Sequence, residues 1–437
     1  MKKHFKAFGL LLTFVSTILL LQACADLFAD TSLDIPPPRT TSVSEEELEE
    51  AQPLVTAIND FGLNLMRENG VKSQENLVIS PVSVHSALSM TKNGADGETR
   101  EQMAAVLGVD ALAEDEVNES WRTLIDSLRA SDPHPASAPR TFTLANAIWY
   151  QEDFTLSPLF ESSVQDSYDA IVAPLDFVNP RAPRTVNNWI SRQTDGLIEN
   201  VIEEFSADAV MCLVNTVYFQ SNWSQPFEQM ATRYEDFTRL DGTVVSTPLM
   251  HSQKWLGVYQ DENFNVANLR YADNKSSLYI FLPHTNEQFD ATLVSLSSER
   301  IREIRRDLTI AEGAEIEVAI PKIDTEFSSE LRTVLIDMGM PDAFDMRSAD
   351  FSRMFDAESF AAFNEELFIS KVLHSTRLII DEDGTTAAAA TVVEVLAGGM
   401  PTEPVTEFIC DRPFIIALVD DVTGTILFLG AVMDPTQ

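Results

Sequence analysis

The sequence contains few cysteines, few histidines and few basic residues. Three cysteines in 437 residues argue against a disulfide-rich scaffold. The cysteines and the six histidines show no spacing typical of a metal site. Lysine and arginine total 30 against 68 acidic residues, a formal net charge of −38. Because nucleic acids and anionic lipid surfaces attract basic faces, this charge argues against both as direct partners.

The sequence also lacks the common catalytic and cofactor-binding motifs. It contains no G-x-S-x-G elbow, no H-E-x-x-H helix, no phosphate-binding P-loop and no dinucleotide fingerprint. We therefore expect a protein that is not an enzyme and that uses no cofactor and no metal. A hydrolase is the least favoured class.

Residues 1–23 have the pattern of a signal peptide. Three lysines precede an uncharged apolar run over residues 8–21, which is shorter than the about 20 residues that a membrane-spanning helix needs. Residues 21–24 resemble a bacterial lipobox, which implies that Cys24 becomes a lipidated first residue. The alternative is a chance cysteine beside a conventional cleavage site.

Residues 24–53 combine prolines, serines, threonines and an acidic run, with few residues to bury. This composition predicts a flexible tether attached to the lipid. We expect an exported protein, lipid-anchored to the bacterial cell envelope at the outer membrane, on its periplasmic or surface side.

From residue 54 onward the pattern predicts one domain of class α+β. The first half shows mostly helical spacing and includes a helix start at Ser80 and Pro81. The pattern becomes rich in strands after Arg239, with no regular alternation of strand and helix. The domain is therefore predicted to span residues 54–437.

The segment of residues 382–404 is too apolar for an ordinary exposed loop. Glu394 is the only charged residue between Gly384 and Thr402. In a strand, one face would carry Thr385, Ala387, Ala389, Thr391, Val393 and Val395. Because the alanines also suit an amphipathic helix, periodicity alone leaves both structures open.

Three stretches resemble the serpin family. The first is the hinge of an inhibitory reactive loop, which here reads Glu382, Gly384, Thr385, Thr386, Ala387, Ala388, Ala389, Ala390 and Thr391. The second is a helical signature around residues 76–107, and the third is the C-terminal hairpin over residues 408–435. The resemblance covers residue 54 onward. It implies a single serpin domain with a helical N-terminal part, three mainly antiparallel β-sheets and an exposed reactive loop at about residues 382–404.

The resemblance implies a suicide-substrate inhibitor of serine, or alternatively cysteine, endopeptidases that acts as a monomer. Counting from the hinge glycine places the cleaved bond between Gly398 and Gly399, with Leu396 and Met400 as alternatives. Because no lysine or arginine lies between residues 382 and 404, elastase-like, subtilisin-like or chymotrypsin-like targets are favoured over trypsin-like ones. The alternative function is a non-inhibitory binding or storage module with the serpin fold.

The resemblance also implies structural roles for residues outside the loop. A buried polar cluster below the opening of the main sheet and a contact region at its top are expected to contain Ser80, Ser83, Asn215, His374, Trp223 and Lys322. Lys322 is expected to pair with Glu382 where the loop begins to insert, and two solvated charges are the alternative. A surface histidine is the alternative for His374. The family usually has glutamate where Thr386 stands, but Thr386 faces outward in the strand register above.

Two cysteines, Cys212 and Cys410, would remain after removal of the signal peptide. A disulfide is possible in an exported protein. Two separate buried thiols are favoured, because both residues lie in strand-like segments that we expect to be apart.

Overall fold

A computed structural model describes residues 42–70, 75–130, 138, 140–206, 209–310, 313–362, 367–369, 371–385 and 406–437. All of them lie within one compact unit, Pro37–Gln437. The helices of this part are α1 Glu45–Gly70, α2 Pro81–Asn93, α3 Gly97–Val106, α4 Glu114–Arg129, α5 Pro158–Tyr168, α6 Ala182–Gln193, α7 Phe289–Ser295, α8 Ser298–Ile310, α9 Arg332–Met338 and α10 Ala357–Ala362. None of these helices is both long and apolar enough to cross a membrane.

The strands form three sheets. They are β1 Leu77–Ile79, β2 Thr141–Gln151, β3 Ile171–Leu175, β4 Met211–Asn222, β5 Arg233–Thr238, β6 Val244–Leu256, β7 Val258–Gln260, β8 Phe264–Arg270, β9 Ser276–Pro283, β10 Ala314–Pro321, β11 Ile323–Glu330, β12 Leu373–Ile380, β13 Gly384–Thr385, β14 Thr406–Ile409, β15 Phe414–Asp420 and β16 Ile426–Val432.

The strand order defines a main sheet, β11-β12-β13-β4-β2-β3, a second sheet, β1-β16-β15-β9-β8-β7, and a third sheet, β14-β10-β6-β5. All neighbouring strands are antiparallel except the β2–β3 and β10–β14 pairs, which are parallel. The predicted α+β class with three mainly antiparallel sheets is confirmed.

Helix α1 begins earlier than the sequence analysis predicted. Ser44 and Glu47 form a capping box, in which the Ser44 N–H donates to the Glu47 carboxylate at 2.7 Å and the Glu47 N–H donates to the Ser44 hydroxyl at 3.2 Å. Ala51 and Leu54 are buried. The predicted tether is therefore wrong for residues 45–53, where this cap and a buried apolar face form a helix; residues 24–41 lie outside the described residues.

Helix α2 is buried on nearly every side, and this positions the polar groups of the candidate site. Pro81 occupies its first turn, and the Ser80 hydroxyl caps it by accepting from the Ser83 N–H at 3.4 Å. The helix contacts β4 of the main sheet and β16 of the second sheet. Its serines therefore lie in the core, where a polar side chain needs a hydrogen-bonding partner.

Both described cysteines are free thiols. Cys212 is half-buried on β4, and Cys410 is buried just after β14. The favoured interpretation of two separate thiols is confirmed, although Cys212 is less buried than expected.

Candidate functional site

The main sheet contains a short strand wedged between two longer ones. Strand β13 pairs with β4 through Gly384 opposite Asn222 and Thr385 opposite Ser221. It pairs with β12 through Thr385 opposite Ile380. In the described part of the chain, β4 and β12 do not pair with each other. Strand β13 therefore separates β4 from β12 at this end of the main sheet.

Gly384 passes so close to β4 that no side chain fits. A Cβ placed on it would lie 2.2 Å from the carbonyl oxygen of Ser221 and 2.7 Å from the Cα of Asn222. Both are backbone atoms, so a rotamer change cannot relieve the contact. Glycine is therefore required for the hinge to enter the sheet at this point.

The Thr385 side chain points into the protein. It is buried, and its hydroxyl oxygen lies 2.5 Å from the hydroxyl oxygen of Tyr271. The Tyr271 ring stacks on the Trp223 indole, with ring centroids 4.4 Å apart and an interplanar angle of 20°. The inward face of β13 thus rests on an aromatic pair.

The turn of residues 223–227 holds the chain just before β13. The Trp223 backbone N–H donates to the Asp383 carbonyl at 2.8 Å, and its indole N–H donates to the Asp381 carbonyl at 2.9 Å. The Phe227 N–H donates to the Glu382 carbonyl at 2.9 Å. These three hydrogen bonds fix the point at which the hinge enters the sheet.

Lys322 and Glu382 meet at the same end of the sheet. The Lys322 ammonium lies 2.7 Å from the Glu382 carboxylate, which also accepts from the Thr232 hydroxyl at 2.7 Å. Burial raises the pKa of Glu382, but these hydrogen bonds outweigh burial and leave the pKa below its usual value. The Glu382 side chain is 6% exposed and the Lys322 side chain is 41% exposed, so the two residues form a half-buried pair and are not two solvated charges.

Ser80, Ser83, Asn215 and His374 lie together where α2 crosses the main sheet. The Ser80 N–H donates to Nε2 of His374 at 3.1 Å, and the Ser80 hydroxyl donates to the Leu427 carbonyl at 2.7 Å. The Ser83 hydroxyl donates to the Asn215 side-chain carbonyl. The cluster therefore links α2 to β4, β12 and β16.

His374 is a neutral acceptor in this cluster. Its Nε2 accepts from a backbone N–H, so its proton is on Nδ1. Burial lowers the pKa of His374 to about 4. A surface histidine, the alternative interpretation, is wrong because the residue is buried.

Sequence reasoning missed two members of the cluster, Asn146 and Tyr168. Asn146 on β2 lies directly opposite Asn215 on β4, and the Asn215 amide donates to its side-chain carbonyl. The Asn146 amide donates to the Tyr168 carbonyl at 2.8 Å. Asn146 is flanked by apolar residues in its predicted strand, and this pattern could have identified it.

The remaining predicted site residues lie outside the described residues: Cys24, Thr386, Ala387, Ala388, Ala389, Ala390, Thr391, Leu396, Gly398, Gly399 and Met400. Within the described part, no group of three or more His, Cys, Asp and Glu is placed to hold a metal ion.

Comparisons with known proteins identify the family. Residues 56–435 match the model of the family described as Serpin (serine protease inhibitor). The chain belongs to the serpin family. It is 34% identical over 390 residues to an uncharacterised serpin-like protein of Thermococcus kodakarensis, covering 88% of this chain and 86% of the relative. Family membership supports a protease-inhibitor function in general terms.

Solved serpin structures share the fold. The native state of Tengpin, a thermophilic serpin, has a TM-score of 0.76 and 28% identity, covering 93% of this chain and 98% of Tengpin. Human thyroxine-binding globulin in complex with thyroxine has a TM-score of 0.76 and 26% identity, covering 89% of this serpin and all of the globulin chain. This chain therefore shares its fold with Tengpin and with thyroxine-binding globulin.

Proposed function

We propose that this serpin inhibits a serine, or alternatively a cysteine, endopeptidase as a suicide substrate. One observation carries the proposal: Gly384 and Thr385 already pair with β4 and β12, and these two strands share no pairing of their own in the described part of the chain. The described hinge is thus the first part of a strand that can lengthen between them. Successive added residues gain ladder hydrogen bonds to β4 and to β12 in alternation.

The proposed reaction begins in the protease, which supplies all catalytic groups. Its nucleophile attacks the carbonyl of the scissile bond, between Gly398 and Gly399 or at Leu396 or Met400. The amide nitrogen leaves with a proton, and an acyl-enzyme forms. The freed loop then enters the main sheet before water can cleave the ester or thioester. The attached protease is carried along and its active site is distorted. The serpin itself turns over no substrate in this scheme.

The orientation of Thr385 supports the register of the inserted strand. Since side chains alternate along a strand, the buried side chain of Thr385 places Ala387, Ala389 and Thr391 on the inward face of any extension. The inward positions therefore carry small residues where the strand must slide between its neighbours. Thr386 falls on the outward face, so its difference from the family's usual glutamate is compatible with insertion.

The residues around the proposed bond favour particular protease classes. No lysine or arginine lies between Glu382 and Pro404, whereas Leu396 and Met400 offer apolar side chains. We therefore propose an elastase-like, subtilisin-like or chymotrypsin-like target, engaged by a monomeric serpin.

A protease panel tests the proposal. We expect an elastase-, subtilisin- or chymotrypsin-like enzyme to form a complex that survives SDS, together with a released C-terminal peptide. The matched control is the same protease with its nucleophile changed to alanine, which cannot acylate. Cleavage of the loop by every active protease without any SDS-resistant complex would contradict the proposal.

A non-inhibitory binding module is the second candidate. It is favoured by the similarity to human thyroxine-binding globulin, whose structure contains thyroxine. Loop cleavage that leaves the protease fully active would favour this function over inhibition.

We also propose that lipid on Cys24 anchors the serpin to the bacterial cell envelope. The proposal rests on the resemblance of residues 21–24 to a lipobox. Metabolic labelling with a fatty acid should tag the wild-type protein but not Cys24→Ala. Equal labelling and equal membrane partition of the two proteins would contradict the anchor.

A further inference from the structure

A cavity lies beside the turn of residues 223–227, which holds the hinge. Its volume is about 380 Å³, within the usual range for a site that holds a small organic molecule. Its lining includes apolar and basic residues, among them Trp223, Lys254, Trp255, Leu269, Arg270 and Leu308. The proposed inhibitory mechanism uses none of this volume.

The charge of the cavity is opposite to that of the chain. The protein has 68 acidic and 30 basic residues, yet no described residue that lines the cavity is acidic. The two charged lining residues, Lys254 and Arg270, are both basic. Within the described residues, neither has a carboxylate at ion-pair distance. In the described lining, Lys254 and Arg270 are therefore two cations without a carboxylate partner.

Lys254 is the more unusual of the two. It is 3% exposed, and its ammonium donates to the Gln225 carbonyl and lies 3.9 Å from the centroid of the Phe227 ring. Burial lowers the pKa of Lys254 to about 7. An ammonium has three N–H donors, and Gln225 uses one of them. Burial disfavours the charged form of Lys254, and an anion in the cavity would favour it by accepting from the donors that Gln225 leaves free.

Lys254 is also close to the hinge. Gln225, its hydrogen-bonding partner, lies between Trp223 and Phe227, whose backbone N–H groups hold Asp383 and Glu382. A ligand in the cavity would therefore contact the back of the turn that receives the hinge.

We propose that this cavity binds a small organic anion: a carboxylate carried on a flat apolar body. The carboxylate faces Lys254 and Arg270, with which it forms charge-assisted hydrogen bonds. The apolar body packs against Trp255, Leu269 and Leu308. The apolar part of the lining selects against a small inorganic anion, and the two basic side chains of the described lining favour an anion over a neutral ligand.

Isothermal titration of the purified chain with naphthalene-2-carboxylate tests the site. We expect saturable binding with a Kd below about 1 mM. Naphthalene-2-carboxamide, which has the same body without the charge, should bind at least about tenfold more weakly. Inorganic phosphate, which has the charge without the body, should not compete.

Variants then locate the site. Lys254→Met, which keeps the long apolar stem, should weaken binding of the carboxylate by about tenfold or more, and Arg270→Gln should weaken it less because Arg270 is exposed. Arg184→Gln, which removes an exposed cation from outside the cavity lining, should leave the Kd unchanged.

Several outcomes would overturn the proposal. They are no binding of the carboxylate to the wild-type chain, equal binding of the carboxamide, and an unchanged Kd in Lys254→Met. The comparison of carboxylate with carboxamide uses only the wild-type chain, so it decides the question even if a variant fails to fold. The test is also independent of inhibition, because it needs no protease.

Discussion

At the scale of single residues, Gly384 is the position where the structure allows least change. We predict that Gly384→Ala prevents β13 from pairing with β4, since the added methyl group would overlap the backbone of Ser221 and Asn222. Loop insertion would then start later, and water would reach the acyl-enzyme more often. More serpin would then be cleaved for each protease molecule that is trapped. The stoichiometry of inhibition, which is the number of serpin molecules consumed per protease molecule inhibited, should rise several-fold above the wild-type value.

Asp383→Ala is the matched control for Gly384→Ala. Asp383 is the neighbouring residue, and its hydrogen bond to Trp223 uses the backbone carbonyl, which the substitution keeps. Its stoichiometry should stay near the wild-type value. Equal stoichiometries for wild type and Gly384→Ala would show that close packing at this glycine does not govern insertion.

The buried histidines predict a loss of stability in mild acid. Burial lowers the pKa of His374 and of His85 to about 4, whereas an unfolded histidine titrates near 6.5. Between these values the unfolded state binds more protons, so the free energy of unfolding falls as the pH falls through this window. The slope should approach about 1.4 kcal/mol per pH unit for each histidine.

Urea unfolding from about pH 7.5 down to about pH 5 measures this slope. His374→Gln, which removes one of the two titrating groups and can still accept from the Ser80 N–H, should lose less stability over the range than wild type. His284→Gln, at an exposed histidine, should behave as wild type. An identical slope in His374→Gln and wild type would rule out His374 as a source of the acid sensitivity.

Residue patterns predicted the polar cluster only in part. The resemblance of residues 76–107 to the family identified Ser80 and Ser83, and the structure places them against His374 and Asn215. It did not identify Asn146, because a partner across a strand pair depends on register, which the sequence alone does not fix. The burial of Glu382 was missed for a similar reason, since Thr232 reaches it from a distant part of the chain.

At the scale of elements, the inserted strand should tolerate only small or apolar residues on its inward face. We predict that Ala389→Arg converts the inhibitor into a substrate, because residue 389 shares the face of the buried Thr385 side chain. Burying an unpaired guanidinium would cost several kcal/mol, so insertion of the loop would become slower. Hydrolysis of the acyl-enzyme would then be faster than insertion.

Gel electrophoresis and residual protease activity measure this change. Ala389→Arg should be cleaved at the same bond as wild type, yet leave the protease active. Ala388→Arg is the matched control, since residue 388 falls on the outward face of the same strand. An unaltered yield of covalent complex from Ala389→Arg would contradict the register.

Elements were predictable where capping and periodicity agree. Ser80 and Pro81 marked the start of α2 correctly, because a capping hydroxyl followed by proline at the first turn suits few other structures. The start of α1 was misjudged although Ser44 and Glu47 form a capping box. Pro53 and the acidic run suggested a tether, but Pro53 is accommodated inside the helix at an exposed position, and Ala51 contributes to the core.

At the scale of the whole molecule, the central claim is that the intact protein is less stable than the protein with its loop inserted in the main sheet. Insertion forms new backbone hydrogen bonds and buries apolar side chains, but the backbone entropy lost when the loop residues are ordered largely offsets both. A large gain in stability must therefore come from relief of strain in the rest of the fold when the strand that begins at β13 is completed between β4 and β12. Neither composition nor periodicity could show that β13 lies between β4 and β12, because this order is a property of how the strands are arranged.

Calorimetry before and after limited cleavage near Gly398 tests this claim most directly, with the cut mapped by mass spectrometry. The account predicts that the cleaved protein unfolds at a midpoint tens of degrees above that of the intact protein, because the freed strand fills the sheet. A protein cut instead at the exposed turn around Gly242, between β5 and β6, should unfold at the intact midpoint or lower. Equal midpoints for the intact protein and the protein cleaved near Gly398 would contradict the insertion mechanism.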